Sequence, residues 1–249
     1  MVVFATQRGI HTPFKYYKGV LIMTKVFLGV GHGGSDPGAV GNGLREKDLN
    51  LSISRACRDV LEDHGVTVLM SRETDVSESL SGKISECNAF KPDLALDIHN
   101  NAGGGDGAEV FHTLSGGKGK TLAENILAAI KEVGQNSRGT KTRASSSGSD
   151  YFGFIRSTNA PAVIVECAFV DNKTDIAIID TAAEQRIMGE AIAKGILKTL
   201  NIAYSSSATP APETSGKLYR VQVGAYGIKA NAEEMQKKLK ADGYDAVIV

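Results

Sequence analysis

From Lys25 onward, apolar and polar positions alternate in blocks that match strands and helices in turn. Lys25–Val30 is a short apolar run giving way to Gly31-His32-Gly33-Gly34, as a buried strand entering a loop would read. Over residues 46–64, Leu49, Ile53, Ala56, Val60 and Leu61 recur at three- to four-residue spacing. That predicts a helix with one buried face, stopped at Gly65. The same reading places strands over 66–71, 93–99, 108–113 and 162–167, and helices over 79–90, 119–133 and 182–200. Residues 135–148, rich in Ser, Arg, Thr and Lys, read as a polar loop. Strands and helices in alternation predict an α/β fold, a twisted, mostly parallel sheet flanked by helices. Ligands of such sheets bind beyond the carboxyl ends of the strands. His32, His99 and Glu166 each fall at or just past the end of a predicted strand.

The two ends of the chain break the pattern. Arg8, His11, Lys15 and Lys18 interrupt the apolar stretches of the first 22 residues, which leaves no continuous apolar core for a secretory signal peptide. Regular patterning starts just after Met23, and Lys18-Gly19-Val20 is compatible with a purine-rich ribosome-binding stretch upstream of that codon. The expectation is a non-native leader over residues 1–23, ending at a natural start at Met23, and a main domain over 24–201. Residues 202–216, with their Ser, Ala, Pro and Thr, read as a linker. Residues 217–249 then read as a strand-helix-strand unit, with strands over 218–225 and 244–249 and a helix over 231–242, too small to bury a stable core alone. No run of about 18 apolar residues occurs, so no membrane partner is expected. Synthesis in the cytoplasm, with action after release, is the corresponding expectation for location.

Composition narrows the partners. The 28 cationic and 28 acidic residues balance to zero net charge, against the basic excess of a nucleic-acid binder, so no nucleic-acid partner is expected. The cysteines Cys57, Cys87 and Cys167 are odd in number, widely spaced and free of any CxxC pair, which reads as buried reduced thiols.

Candidate chemistry rests on four residues. His32, Glu46 and His99 supply two imidazoles and a carboxylate, the donor set of a catalytic zinc site whose fourth position holds water. Glu166, an acid ending an apolar strand, has the chemistry of a general base. Each has a plainer reading: Glu46 suits the positive end of a helix, and His99 beside Asn100 and Asn101 suits a polar loop. Among the other histidines, His11 lies in the leader, His64 reads as a cation at a helix end, and His112 is a secondary candidate for supporting the site. A nuclease or nucleotide enzyme fits worse, since neither a phosphate-binding glycine loop with Lys nor a cluster of Asp residues occurs.

Four motifs carry a resemblance. Gly31-His32-Gly33-Gly34-Ser35-Asp36-Pro37-Gly38-Ala39 with Gly43-Leu44-Arg45-Glu46-Lys47-Asp48-Leu49-Asn50 resembles the opening of the zinc-dependent N-acetylmuramoyl-L-alanine amidases. Ser71-Arg72-Glu73-Thr74-Asp75, then Ser79-Leu80-Ser81, Asn88-Ala89 and Asp97-Ile98-His99-Asn100-Asn101-Ala102, resemble that family's middle motifs. The stretch from Pro161 to Val170, with Asn172 and Asp175, is similar to its closing motif. The resemblance implies zinc held by His32, Glu46 and His99, Glu166 as the catalytic carboxylate, and hydrolysis of the amide joining N-acetylmuramic acid to L-alanine in peptidoglycan. With no signal-peptide pattern at the start, the expectation is a phage-type endolysin or a bacterial autolysin. Lys83 departs from the family, which often has Arg there, and is expected to alter a surface contact only.

Tyr219-Arg220-Val221-Gln222-Val223-Gly224-Ala225-Tyr226 resembles the start of a SPOR-type peptidoglycan-binding repeat, at about half its usual length. Either the unit is partial, or two chains pair their halves in a homodimer. Two alternatives to the amidase are carried forward. One is another zinc amidohydrolase or carboxypeptidase; the other is a non-catalytic wall-binding protein.

Overall fold

The computed structural model describes residues 24–205, the backbone of two short strands at 15–17 and 20–22, and helical residues 232, 233 and 235–237. The helical residues fall within the helix expected over 231–242. The terminal strands expected over 218–225 and 244–249, the pairing of half repeats and most of the expected linker lie outside the described residues. Two compact units are present, and the one described below spans residues 11–207.

Regular structure begins earlier than the patterning predicts. Lys15–Tyr17 (β1) pairs antiparallel with Val20–Ile22 (β2), two runs of high strand propensity separated by two residues. The main domain then runs through Lys25–Val30 (β3), Val40–Gly41 (β4), Leu44–Arg45 (β5) and Glu46–Asp63 (α1). Thr67–Met70 (β6), Leu80–Phe90 (α2), Leu94–Asn101 (β7), Ala108–His112 (β8) and Gly117–Glu132 (α3) follow. It closes with Ser137–Lys141 (β9), Gly153–Ser157 (α4), Ala162–Phe169 (β10), Lys173–Ile176 (α5) and Ala182–Leu200 (α6).

Six strands form one sheet in the order β6-β3-β7-β10-β8-β9. Neighbours run parallel except β8, which opposes β10. The reversal has a simple cause: the few residues joining β7 to β8 are too short for the crossover that a parallel return requires. Alternate residues of the central strands serve opposite faces. Leu94, Leu96 and Ile98 of β7 join Val26, Leu28, Val163 and Val165 in the main core, with side chains of α1, α3 and α6. Phe27, Ala95 and Ala162 face the other way and pack with Cys87 of α2 and Phe154 of α4. Each fully buried Val, Leu, Ile or Phe among these contributes about 1.5–3 kcal/mol over its exposed state. All three cysteines are free and buried, as their spacing implies.

Two boundaries need correction. The polar stretch 135–148 contains β9, an edge strand parallel to β8. Its residues are exposed or half-buried, so no apolar alternation announces it. The linker also starts later than residue 202. Ile202 and Tyr204 pack against the main core, the Tyr204 ring stacks on His64 at 5.4 Å, and the Tyr204 hydroxyl donates to Glu190. His64 is therefore not simply a charge at a helix end: Nδ1 lies 2.6 Å from the Val60 carbonyl, and Nε2 accepts from the Ser205 N–H at 3.0 Å.

Candidate metal centre

Glu46 opens α1 with its carboxylate lying between two imidazoles. Oε2 is 3.1 Å from Nε2 of His32, and Oε1 is 2.9 Å from Nδ1 of His99. One ligand atom from each of the three residues lies within 4.8 Å of the others. Zinc bonds of about 2.0–2.1 Å in a tetrahedron imply ligand-to-ligand spacings of about 3.3 Å, and the 4.8 Å span of this trio leaves only a small contraction to reach them. Two imidazoles and a carboxylate also match the donors of a catalytic zinc site. The set therefore fits a divalent metal, and the sequence-predicted trio is brought together.

Backbone and side chains hold these donors in place from below. Glu46 accepts from the N–H groups of Ala39 at 2.8 Å and Asn100 at 3.1 Å. His32 lies one residue past β3, after Gly31, and adopts a left-handed backbone, φ 58°, uncommon for a residue with a Cβ and typical of functional loops. Its loop is lashed to α1 and to the turn after β6. Lys47 donates to the Gly34 carbonyl at 2.8 Å and to Asp75 at 2.7 Å, while Asp75 accepts from the Gly34 N–H at 2.7 Å. Buried Arg72 donates to the carbonyls of Gly31 and Lys47. The motif 71–75, to which sequence gave no role, thus anchors the His32 loop. Asn172 and Asp175 do comparable work behind β10: Asn172 donates to the Gly105 carbonyl, and Asp175 accepts from the N–H groups of Gly107 and Phe169.

The second nitrogen of each histidine faces a carboxylate. Nδ1 of His32 is 2.7 Å from Asp36, and Nε2 of His99 is 3.5 Å from Asp97. Asp97 is itself paired with Lys83 at 2.8 Å. Lys83 is buried, which corrects the expectation of a surface contact: the face of α2 that carries it turns onto the sheet.

Charges in the cluster are strongly coupled. Burial disfavours the charged form of Glu46, but hydrogen bonds from His32 and His99 outweigh it and hold the carboxyl below the usual carboxylate range. Burial likewise opposes a cationic His99, yet Asp97 and Glu46 push its pKa up to about 10. Binding of a divalent metal to this set would compete with the protons that the same contacts favour on the two imidazoles.

Glu166 lies on β10 in register with His99 of β7 on one side and Glu109 of β8 on the other. It sits within the strand rather than at its end, since β10 continues to Phe169. Its Oε2 is buried without a hydrogen-bond partner. Burial raises the Glu166 pKa to about 7, with the nearby carboxylates adding to the effect and His99 opposing it. A carboxyl poised near neutrality, one strand from a set of residues that could hold a metal, is equipped to exchange a proton with a reacting water or amine. His112 does not support the site. It pairs with Val163, three residues before Glu166, and its Nδ1 lies against the Thr113 carbonyl.

Comparison with known proteins places this geometry. The sequence pattern defining the N-acetylmuramoyl-L-alanine amidases (Amidase_3) matches residues 26–198, and that of the SPOR domain matches residues 189–249. A sporulation-specific N-acetylmuramoyl-L-alanine amidase of Bacillus subtilis (strain 168) is 35% identical over 231 residues, 91% of this chain and 85% of the relative. An endolysin of Bacillus phage SPP1 is 33% identical over 201 residues, 77% of this chain and 71% of the relative. The solved structure of the N-acetylmuramoyl-L-alanine amidase AmiC2 of Nostoc punctiforme is similar with a TM-score of 0.65 at 31% identity, over 72% of this chain and 97% of that one. Since the matched span contains His32, Glu46, His99 and Glu166 and the strands that position them, the chain belongs to the N-acetylmuramoyl-L-alanine amidase family.

Proposed function

We propose that this chain hydrolyses the amide between the lactyl group of N-acetylmuramic acid and L-alanine in peptidoglycan, with zinc held by His32, Glu46 and His99 and with Glu166 as general base and acid. The observation that carries the reading is the juxtaposition of a converging His-Glu-His donor set with a buried, unpartnered carboxylate on the adjoining strand. Nε2 of His32, the Glu46 carboxylate and Nδ1 of His99 are the donor atoms, each backed by a partner in the fold. Zinc bound there would polarise the lactyl carbonyl and lower the pKa of a coordinated water toward about 7. Glu166 takes the proton of the attacking water and returns it to the departing L-alanine nitrogen, so that the amine leaves neutral. The SPOR match supports the same polymer as the partner of the remaining chain.

The test is digestion of purified peptidoglycan by the protein as prepared, after chelation, and after restoring zinc. Mass spectrometry should show intact stem peptides with a free L-alanine amine beside uncut glycan, lost on chelation and regained with zinc. Release of single amino acids would replace the amidase by a carboxypeptidase. Activity unaffected by exhaustive chelation would remove the metal from the mechanism.

A further inference from the structure

Beneath the His99 ring lies a buried charge pair that zinc binding by three ligands does not itself require. Asp97 and His99 are two residues apart on β7, so strand periodicity puts both side chains on one face. Both partners of the pair are almost fully enclosed, with the side chains of Lys83 and Asp97 only 7% and 5% exposed. The two carboxylate oxygens divide their work. Oδ1 accepts from the Lys83 ammonium at 2.8 Å, and Oδ2 lies 3.5 Å from Nε2 of His99. The ammonium also donates to the carbonyl of Val30, the last residue of β3 before His32.

The neighbouring strand is cut away to admit this arrangement. Gly29 pairs with Asp97 in the β3–β7 register, and a Cβ there would lie 2.6 Å from the Asp97 carboxylate. One step along the same face, a Cβ at Gly31 would lie 2.4 Å from the His99 ring. Gly29 has ordinary strand backbone, so space for the carboxylate, not turn geometry, accounts for a glycine in mid-strand. A buried ion pair is weak evidence of stability, because desolvation offsets its attraction.

We propose that Asp97, clamped by Lys83, is a positioning residue that fixes the His99 ring with Nε2 turned inward and Nδ1 presented beside Glu46 to the metal. Carboxylates in this relation set the tautomer of a ligating imidazole and raise its basicity. Asp36 lies closer to its imidazole, 2.7 Å from Nδ1 of His32, but is solvent-exposed, so the buried carboxylate supplies the rigid half of the pair. The inference rests on the metal-hydrolase reading above.

The test titrates Zn2+ into the full-length protein in competition with a chromophoric chelator. Wild type should bind one equivalent, and Asp97→Asn should weaken that binding about 10- to 100-fold. Asp97→Asn also strands the Lys83 charge, so the double variant Lys83→Met/Asp97→Asn separates the roles. It should regain the thermal stability lost in Asp97→Asn yet stay weak in Zn2+ affinity, with an altered visible spectrum when loaded with Co2+. Lys83→Arg, which keeps the clamp, should bind Zn2+ within about threefold of wild type, well inside the loss expected without the carboxylate. Wild-type affinity and an unchanged Co2+ spectrum in the double variant would overturn the proposal, leaving Asp97 as no more than a counter-ion. Failure of both Asp97 variants to fold would overturn it equally, by making the pair a structural element. A wild type that binds no Zn2+ would instead defeat the underlying metal reading.

Discussion

A methyl group at position 31 would lie 2.4 Å from Cε1 of His99, closer than real side-chain contacts come, so the ring depends on Gly31 having none. Gly31→Ala is expected to push His99 out of line with Glu46 and lower zinc affinity at least 10-fold, with far-ultraviolet circular dichroism unchanged. Equilibrium dialysis against zinc checks it, and retained affinity would show that the ring can move aside. At this scale donor chemistry singles out His32, Glu46, His99 and Glu166 only as candidates with plainer readings beside them; the family resemblance joins them into one site, and the fold brings the first three within 4.8 Å of one another. What was not legible was the support. Arg72, Lys47 and Asp75 act through backbone carbonyls and N–H groups of a loop whose path is set by tertiary packing. Lys83 and Asp97 meet only once α2 lies on the sheet, so a buried pair read as a surface change.

Among the elements, β9 is the least apolar strand of the sheet and is secured by charge. Arg138 and Lys141 both pair with buried Glu109 on the neighbouring β8. Burial opposes ionisation of Glu109, but the two cations outweigh it and lower its pKa. A carboxyl with a lowered folded-state pKa stabilises the fold above its unfolded pKa of about 4.3, and that contribution fades as pH falls through the folded value. Glu109→Gln should therefore cost about 1.5–3 kcal/mol at neutral pH, the range for hydrogen bonds to charged groups. The difference from wild type should shrink steadily below about pH 4. Urea unfolding of both proteins across that range measures it, and a pH-independent difference would mean that the charge is not what holds β9. Such a strand escapes sequence reading because its signal is a pair of cations answering an acid on another strand. The central strands and long helices, by contrast, carry unbroken apolar faces and were found within a few residues of their ends.

For the molecule as a whole, packing on the main core continues past the last helix of the sheet-bearing unit. Ile202 and Tyr204 pack on the main core, and Lys194 lies over the Tyr204 ring at 4.7 Å. A chain ending after Ser205 should unfold in urea as the intact domain does, whereas one ending after Leu200 should lose about 1.5–3 kcal/mol from the uncovered apolar surface. Equal stability of the two would place the boundary back at residue 201. The chain ending after Ser205 should also keep turnover on soluble muropeptides while losing affinity for insoluble peptidoglycan in pull-down, since the SPOR match extends to residue 249. Undiminished retention on the polymer would assign wall binding to the catalytic domain instead. Sequence placed this boundary a few residues early because Ser, Ala and Pro further on dominate the composition, while Tyr204 anchors through a contact with His64, far away in the chain.

The most direct test of the account is Glu166→Gln in the full chain, with bound zinc and turnover on purified peptidoglycan measured on one sample. The account predicts near-stoichiometric zinc, as in wild type, with amide hydrolysis lowered by about 10²–10⁴-fold, the span of a lost general base. Turnover within a few fold of wild type at full zinc occupancy would contradict it, and would take Glu166 out of the mechanism.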